Sequence, residues 1–230
     1  MIRSYLIATI VLFGVIGISS CSVNNNSTTN PQQGSFLVST VSPDAAPVNL
    51  YINSSLFQQQ MTYGVYTPYY SAAAGGYTLT VTDPNNTTLV TSTITLDVNK
   101  LYSYILIDSF KNLKAAFIQD NFTVPGSDSI YLRFFNFSPN SQPLTLYDST
   151  DQISLYSLRA FNDQAYEPDF ANFVEMKAGT YTFQLRNPAD SVIASKAYTL
   201  GGGHVFTIFA KGFVGGTDTQ AVGLGQIQNY

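Results

Sequence analysis

Side chains that could form a nucleophilic or metal centre are scarce in this chain of 230 residues. Catalysis by a Ser or Cys nucleophile needs a neighbouring His, and the only His, His204, follows three glycines at the start of a predicted strand. A zinc site needs three or four ligands, mostly thiolate or imidazole, whereas the chain has one Cys and one His. We therefore predict no catalytic residues, no metal site and no bound cofactor.

Carboxylates are the remaining candidates for chemistry, and three of them cluster in one loop. Asp163, Glu167 and Asp169 surround Pro168. Two suitably spaced carboxylates suffice for glycoside hydrolysis, and carboxylate oxygens also bind calcium. No spaced calcium-loop motif is present, however, and turns favour Asp for their own hydrogen bonds. We interpret the cluster as a solvated loop and keep a carboxylate-based hydrolase as a third hypothesis.

Four tyrosines within eight residues form the best candidate binding surface: Tyr63, Tyr66, Tyr69 and Tyr70. Exposed aromatic rings contribute strongly to ligand and protein interfaces, because they bury much area with few rotatable bonds. Alternating tyrosines in a strand can instead form core or cross-strand pairs. Because an extended segment sends alternate side chains to opposite faces, all four cannot point inward, and we predict that one or two are exposed.

The N-terminus carries a targeting signal. Arg3 precedes an apolar run from Tyr5 to Ile18, which is too short to span a bilayer comfortably but has the length of a signal-peptide core. The run ends in Ile18-Ser19-Ser20-Cys21, which resembles the bacterial lipobox; a plain secretory signal is the alternative. We predict a lipoprotein signal peptide over residues 1–20 and lipid attachment at Cys21, which would make the membrane a partner.

Residues 21–34 predict a flexible tether. They are almost entirely polar and cannot offset their own ordering entropy by burying apolar surface. Ser22 stands where enterobacterial lipoproteins retained in the inner membrane carry Asp. We therefore expect a lipid-anchored envelope protein in the outer membrane, in either the periplasmic or the surface-exposed leaflet.

Composition favours packed β-strands and argues against nucleic acid as a partner. Charged residues make up only 10% of the chain, whereas 45% is hydrophobic, with 16 Tyr and 16 Phe. Aromatic and β-branched residues favour strands. The formal charge of −4 provides no basic surface for phosphates.

One ten-residue segment occurs twice and defines two repeats. Ser42–Tyr51 and Ser138–Tyr147 share a Ser-Pro pair, a second proline and a final Leu-x-Tyr. Further matches follow at offsets that grow only at loop positions, such as Gly76-Tyr77-Thr78 with Thr180-Tyr181-Thr182. Stepwise growth of the offset is typical of homologous units with loop insertions. We predict repeat 1 over residues 35–122, a linker over 123–128 and repeat 2 over 129–230.

These repeats resemble the domain of unknown function 4397 family, which occurs in secreted and lipid-anchored bacterial proteins. The resemblance rests on Ser42-Pro43-Asp44-Ala45 and Gly76-Tyr77-Thr78 in the first repeat, whereas Asn140-Ser141-Gln142 departs from the pattern in the second. It implies an extracytoplasmic β-sandwich and supplies no catalytic residues. Frequent turn signals and short alternating segments independently predict an all-β fold of two tandem antiparallel β-sandwiches of Ig-like or Greek-key type.

Three functional hypotheses follow from this sequence. The first is a non-enzymatic, lipid-anchored cell-envelope protein that binds a glycan or an envelope protein. The second is a structural spacer or an accessory subunit of an envelope assembly. The third is the hydrolase considered above.

Overall fold

The computed structural model describes residues 32–230, and these form strands and short 3-10 turns without an α-helix. The strands of the first repeat are β1 (Gln33–Thr40), β2 (Val48–Ile52), β3 (Ser55–Met61), β4 (Tyr70–Ala73), β5 (Gly75–Thr82), β6 (Thr88–Leu96), β7 (Leu101–Ile107) and β8 (Lys114–Gln119). Those of the second are β9 (Ser129–Asn136), β10 (Leu144–Asp148), β11 (Ile153–Arg159), β12 (Val174–Lys177), β13 (Gly179–Arg186), β14 (Val192–Leu200), β15 (Val205–Lys211) and β16 (Gly223–Gln228). The 3-10 turns are Phe110–Asn112, Asp163–Ala165, Pro168–Ala171 and Asp218–Gln220.

Each repeat forms a pair of four-stranded sheets. In the first repeat the strand orders are β4-β1-β7-β8 and β3-β2-β5-β6. Alternation places Leu79 and Val81 of β5 in the core opposite Phe36 and Val38 of β1. The core lies between the two sheets because each contributes one apolar face.

The second repeat has the same topology, with orders β12-β9-β15-β16 and β11-β10-β13-β14. The prediction of two β-sandwiches is therefore confirmed. The expected antiparallel pairing has one exception in each repeat, because β1 runs parallel to β7 and β9 runs parallel to β15. In both repeats the chain leaves the first sheet after its opening strand and adds two strands to the second sheet. It then returns for one antiparallel edge strand, β4 or β12, completes the second sheet, and comes back parallel to the opening strand as β7 or β15.

The repeated Ser-Pro segment forms the corner where the chain changes sheets. In the first repeat, Asp44 Oδ1 accepts a hydrogen bond from the Phe110 backbone at 2.7 Å. In the second, Asn140 Oδ1 accepts one from Val214 at 2.8 Å, and its amide donates to the Val214 carbonyl at 3.0 Å. Asn140 thus takes over the hydrogen-bonding role of Asp44 without its charge. The corner serves the fold.

The two sandwiches pack directly on each other. An apolar cluster lies at their contact and consists of Leu37, Val41, Ile105, Ile107, Ala116 and Ile118 from the first repeat and Phe135, Phe137, Phe209 and Ile227 from the second. Residues 31–230 accordingly form one compact unit. Strand β8 ends at Gln119 and β9 begins at Ser129, on either side of the predicted linker 123–128. The division into domains at 35–122 and 129–230 stays a prediction.

The N-terminal predictions mostly lie outside the described residues. These are the signal peptide over 1–20, lipid attachment at Cys21 and most of the tether over 21–34. Strand β1 begins at Gln33, two residues before the predicted start of the first repeat at Ser35, because Gln33 and Gly34 pair with Ala73 and Ala72 of β4. No helix in the described part of the chain is long and apolar enough to cross a membrane.

Candidate functional site

A fully buried ion pair joins the two sandwiches. Arg133 on β9 donates from Nη2 to Asp120 Oδ1, just after β8, at 2.5 Å, and neither side chain is exposed to solvent. The guanidinium also donates from Nε to Thr207 at 2.9 Å and lies 4.4 Å from the ring centre of Phe173. A buried charge is costly unless it is both paired and hydrogen-bonded, so these contacts are needed for Arg133 to lie where it does.

Hydrogen bonds around this ion pair close into a ring. Tyr69 donates to Asp120 Oδ2 at 2.5 Å and accepts from Asn229 Nδ2 at 3.1 Å. Thr207 donates to Asn229 Oδ1 at 2.7 Å, and Ser103 donates to Asp120 Oδ2 at 2.7 Å. Burial and the neighbouring Asp120 carboxylate raise the pKa of Tyr69 above its usual 10. The hydroxyl is therefore a permanent donor at neutral pH.

The two repeats supply equivalent positions to this network but different residues. Strand registers align Leu37 with Arg133 and Ser103 with Thr207. They likewise align Asp120 with Asn229, since each donates its backbone N–H to the residue that opens β7 or β15. The buried charges thus belong to positions where the two repeats differ.

Next to Asp120 lies a cleft of about 550 Å³. Its lining residues are Asn99, Lys100, Leu101, Asp120, Asn121, Phe122, Thr123, Tyr131 and Phe173. Phe122 and Phe173 meet edge to face with ring centres 5.5 Å apart. The volume is within the range of small-molecule sites, and both repeats contribute walls.

A second groove of about 460 Å³ runs along strand β8. Its other wall is an insertion of the second repeat, residues 161–173, and Asn121 lines both cavities. Five residues with side-chain amides line the two walls, namely Gln119, Asn121, Asn162, Gln164 and Asn172. Gln119 donates to Asn121, and Gln164 donates to Asn162. The cleft and the groove are therefore neighbouring parts of one surface, which we call the junction cleft.

The insertion carries the most exposed aromatic side chain of the described residues. Tyr166 is 86% exposed, and Phe170, on the same insertion, is 39% exposed. Arg159 fixes this insertion: it pairs with Asp163 at 2.6 Å, donates to the Phe170 carbonyl at 3.2 Å and lies 4.0 Å from the Phe170 ring centre. Tyr166 is thus presented on an anchored loop.

The chemistry of the junction cleft suits a neutral, hydroxyl-rich ligand. Amide side chains both donate and accept hydrogen bonds, as sugar hydroxyls require, and aromatic rings offer apolar faces. Of the charged lining residues, Asp120 is already occupied by Arg133, and only Lys100 remains.

The four predicted tyrosines lie in different environments. Tyr66 is 40% exposed, whereas Tyr69 belongs to the buried ring. Tyr70 packs on the core of the first sandwich, edge to face with Phe57 at 4.8 Å. Tyr63 is half-buried, and burial raises its pKa to about 12. The four do not form one exposed patch, and binding at Tyr66 stays a prediction.

The three predicted loop carboxylates are not brought together as a pair. Asp163 accepts from Arg159 and caps the Ala160 backbone, while Glu167 and Asp169 are exposed. Among residues 32–230 no group of His, Cys, Asp and Glu side chains has the arrangement of a metal site. His204 Nδ1 lies 2.9 Å from the Tyr230 carbonyl, at the end of the second sandwich.

Sequence reasoning missed Asp120, Arg133 and the junction cleft. Arg133 had a visible signal, because it is the only charge within the apolar stretch Ile130–Phe137. Such a residue in a strand buried on both faces must find a buried partner. The sequence does not identify the carboxylate that pairs with Arg133, because that choice depends on how the two sandwiches pack.

Comparison with known proteins identifies the first part of the chain. A family model described as a domain of unknown function (DUF4397) matches residues 35–147. These residues belong to the DUF4397 family. The match runs from β1 to the end of the repeated segment in the second sandwich, and membership is compatible with a non-enzymatic extracellular module. No curated protein matches the sequence.

Among solved structures, the Bacillus anthracis TIE protein is similar at 12% sequence identity with a TM-score of 0.24. The similarity covers 78% of this chain and 34% of that protein, so the present chain spans about a third of its length.

Proposed function

We propose that this protein is a non-enzymatic, lipid-anchored envelope module that binds a glycan in the junction cleft. The observation that carries the proposal is the lining of the cleft, where amide side chains and aromatic rings converge between the two sandwiches. Sugar hydroxyls need partners that both donate and accept, and the pyranose ring needs an apolar face. Tyr166 supports the proposal because its exposed ring offers such a face and its neighbours Ala165 and Pro168 line the groove.

A glycan-array and pull-down experiment with residues 32–230 tests this proposal. Tyr166→Ala should weaken binding by about tenfold, which corresponds to the loss of an aromatic anchor that contributes about 1.4 kcal/mol. Asn121→Ala should weaken binding as well. Tyr66→Ala is the matched control, because it removes an exposed tyrosine that lies outside the junction cleft. If Tyr66→Ala abolishes binding while Tyr166→Ala does not, the site lies at Tyr66 and the junction cleft is excluded.

Lipid anchoring is a separate part of the proposal and has its own test. Cells should incorporate a palmitate analogue into the wild-type protein and should not do so for Cys21→Ser. The variant should also be released from the membrane fraction, because it lacks the acyl chains that anchor the wild-type protein with about 0.8 kcal/mol per buried methylene. Labelling of Cys21→Ser at the wild-type level would contradict attachment at this residue.

A structural spacer is the second candidate function. The observation that favours it is the apolar contact between the sandwiches, which makes residues 31–230 a single compact unit. A spacer or accessory subunit would co-purify with a defined set of envelope proteins, and that association would survive the Tyr166→Ala substitution.

A further inference from the structure

A separate cavity of about 440 Å³ lies in the second sandwich. It lies between strand β14, the end of β15 and the start of β16, and the loop of residues 212–222 forms another wall. Lys196 and Lys211 both line it. It shares no lining residue with the junction cleft.

These two lysines have no counter-ion within salt-bridge distance among the described residues, although, unlike Lys100, Lys111 and Lys177, which are also unpaired there, they line one cavity together. Lys114, Arg133, Arg159 and Arg186 each pair with an aspartate at 3.0 Å or less. No described carboxylate lies within 4.0 Å of Lys196 or Lys211, although Asp218 also lines the cavity. Burial and the neighbouring Lys196 charge lower the pKa of Lys211. The fold therefore holds two like charges near each other at a cost to its stability.

Aromatic rings hold both ammonium groups in place. Lys211 Nζ lies 4.9 Å from the ring centre of Tyr63, and Lys196 Nζ lies 4.9 Å from that of Tyr198. Cation–π contacts of this kind orient an ammonium group without neutralising it. Tyr63 belongs to the first repeat, so this pair of sites also depends on both sandwiches.

The first repeat provides an internal comparison. Strand registers align Lys196 with Ser92 and Lys211 with Ile107. Ser92 lies 3.1 Å from the Tyr104 hydroxyl in an uncharged hydrogen bond. The loop after β7 spans residues 108–113, whereas its counterpart after β15 spans residues 212–222. The same topology thus forms without either lysine and without the longer loop.

We propose that Lys196 and Lys211 form a binding site for an oxyanion, a phosphate, sulfate or carboxylate group carried by a ligand of this protein. Such a group relieves the repulsion between the two ammonium ions and receives charge-assisted hydrogen bonds from both. Thr219 also lines the cavity, and a threonine hydroxyl can donate a hydrogen bond to an oxyanion. The site stands independently of glycan binding in the junction cleft.

Titration of residues 32–230 with inorganic phosphate, sulfate and glucuronate, followed by NMR, tests the proposal and distinguishes the three oxyanion classes. At least one anion should shift the lysine Cε–Hε signals of Lys196 and Lys211, and the shifts should diminish as sodium chloride is added. Lys196→Ser and Lys211→Ile import the residues of the first repeat and should each weaken binding about tenfold or more. Lys177→Ser, which removes an exposed lysine of β12, should leave binding unchanged.

Two results would overturn the proposal. One is the absence of any shift at both lysines with all three anions at low ionic strength, where electrostatic attraction is strongest. The other is an equal loss of binding in Lys177→Ser, which would mean adventitious attraction to surface charge. If Lys211→Ile fails to fold, Lys211→Met keeps the aliphatic stem that packs on Tyr63 and takes its place. Loss of anion binding in these variants with glycan binding intact separates the two sites.

Discussion

The buried ion pair between Asp120 and Arg133 offers a direct test of how the two sandwiches are held together. Asp120→Asn keeps the size and one oxygen of the side chain but removes its charge. Arg133 would then be buried without a counter-ion, 0% exposed and with Nη1 already lacking a hydrogen-bond partner among the described residues. Removing one partner of such a pair costs about 3–5 kcal/mol. That is a large share of the roughly 5–15 kcal/mol that stabilises a domain.

The double variant Asp120→Asn/Arg133→Leu distinguishes charge burial from simple loss of packing. It introduces at each position the type of side chain found at the equivalent position of the other repeat, Asn229 and Leu37. Because replacing both members of a buried pair is often close to neutral, the double variant should be more stable than either single variant. A double-mutant cycle should therefore give a coupling free energy of more than about 2 kcal/mol.

Urea and thermal unfolding of residues 32–230 provide the measurements. A loss of about 3–5 kcal/mol corresponds to a fall in melting temperature of about 6–20 °C for a chain of this size. Single variants that lose less than about 1 kcal/mol, or a double variant whose loss equals the sum of the two, would refute the reasoning. Either result would mean that water or backbone relaxation compensates for the lost charge.

Three further predictions concern packing and ionisation. Gly225→Ala should lower the free energy of unfolding by about 1–3 kcal/mol, because a Cβ at residue 225 would clash with the Phe209 ring. Gly223→Ala, on the same strand with no atom nearer than 3.9 Å, should have little effect. Ala72→Met should raise the free energy of unfolding by about 0.5–2 kcal/mol, because Ala72 lines an apolar cavity of about 340 Å³ and its counterpart in the second sandwich is Met176. Ala73→Met changes an exposed neighbour and is the control. If Ala72→Met gives no gain over Ala73→Met, the cavity is not being filled. The free energy of unfolding should also fall above pH 10, because tyrosines of the unfolded chain lose their protons there, whereas burial raises the pKa of Tyr63 to about 12 and also raises that of Tyr69. Below pH 10 both states keep these protons. Unfolding curves measured from pH 8 to 11 at 295 nm test the sign, and a free energy of unfolding that is constant to pH 11 would disprove it.

Alternation and repetition were enough to predict the strands and the two sandwiches. Strand β5 shows why: Leu79 and Val81 are buried, whereas Thr78, whose side chain points to the opposite face, is exposed. Alternation is incomplete at the end of that strand, where Thr82, next to the buried Val81, is itself only 5% exposed.

The packing of one sandwich on the other had a sequence signal that alternation obscures. Strands β1, β7 and β9 contain consecutive apolar residues, such as Phe36-Leu37-Val38 and Phe134-Phe135. A strand that is buried on both faces reads as a continuous apolar run, and in these strands the second face forms the contact between the repeats. The junction cleft could not be predicted in this way, because its walls come from segments far apart in the chain whose meeting depends on that contact.

The unlike residues at the contact between the sandwiches explain why the two repeats bind each other. Two copies of the first sandwich meeting through this face would place Asp120 beside Leu37, and two copies of the second would place Arg133 beside Asn229. Each arrangement buries charges without counter-ions, which costs several kcal/mol for every ion. Only the pairing of unlike repeats lets Asp120 meet Arg133. A buried ion pair adds little net stability compared with apolar residues, but here it opposes association with the wrong partner. The contact between the sandwiches of this compact unit thus also directs the apolar face of each repeat away from other copies.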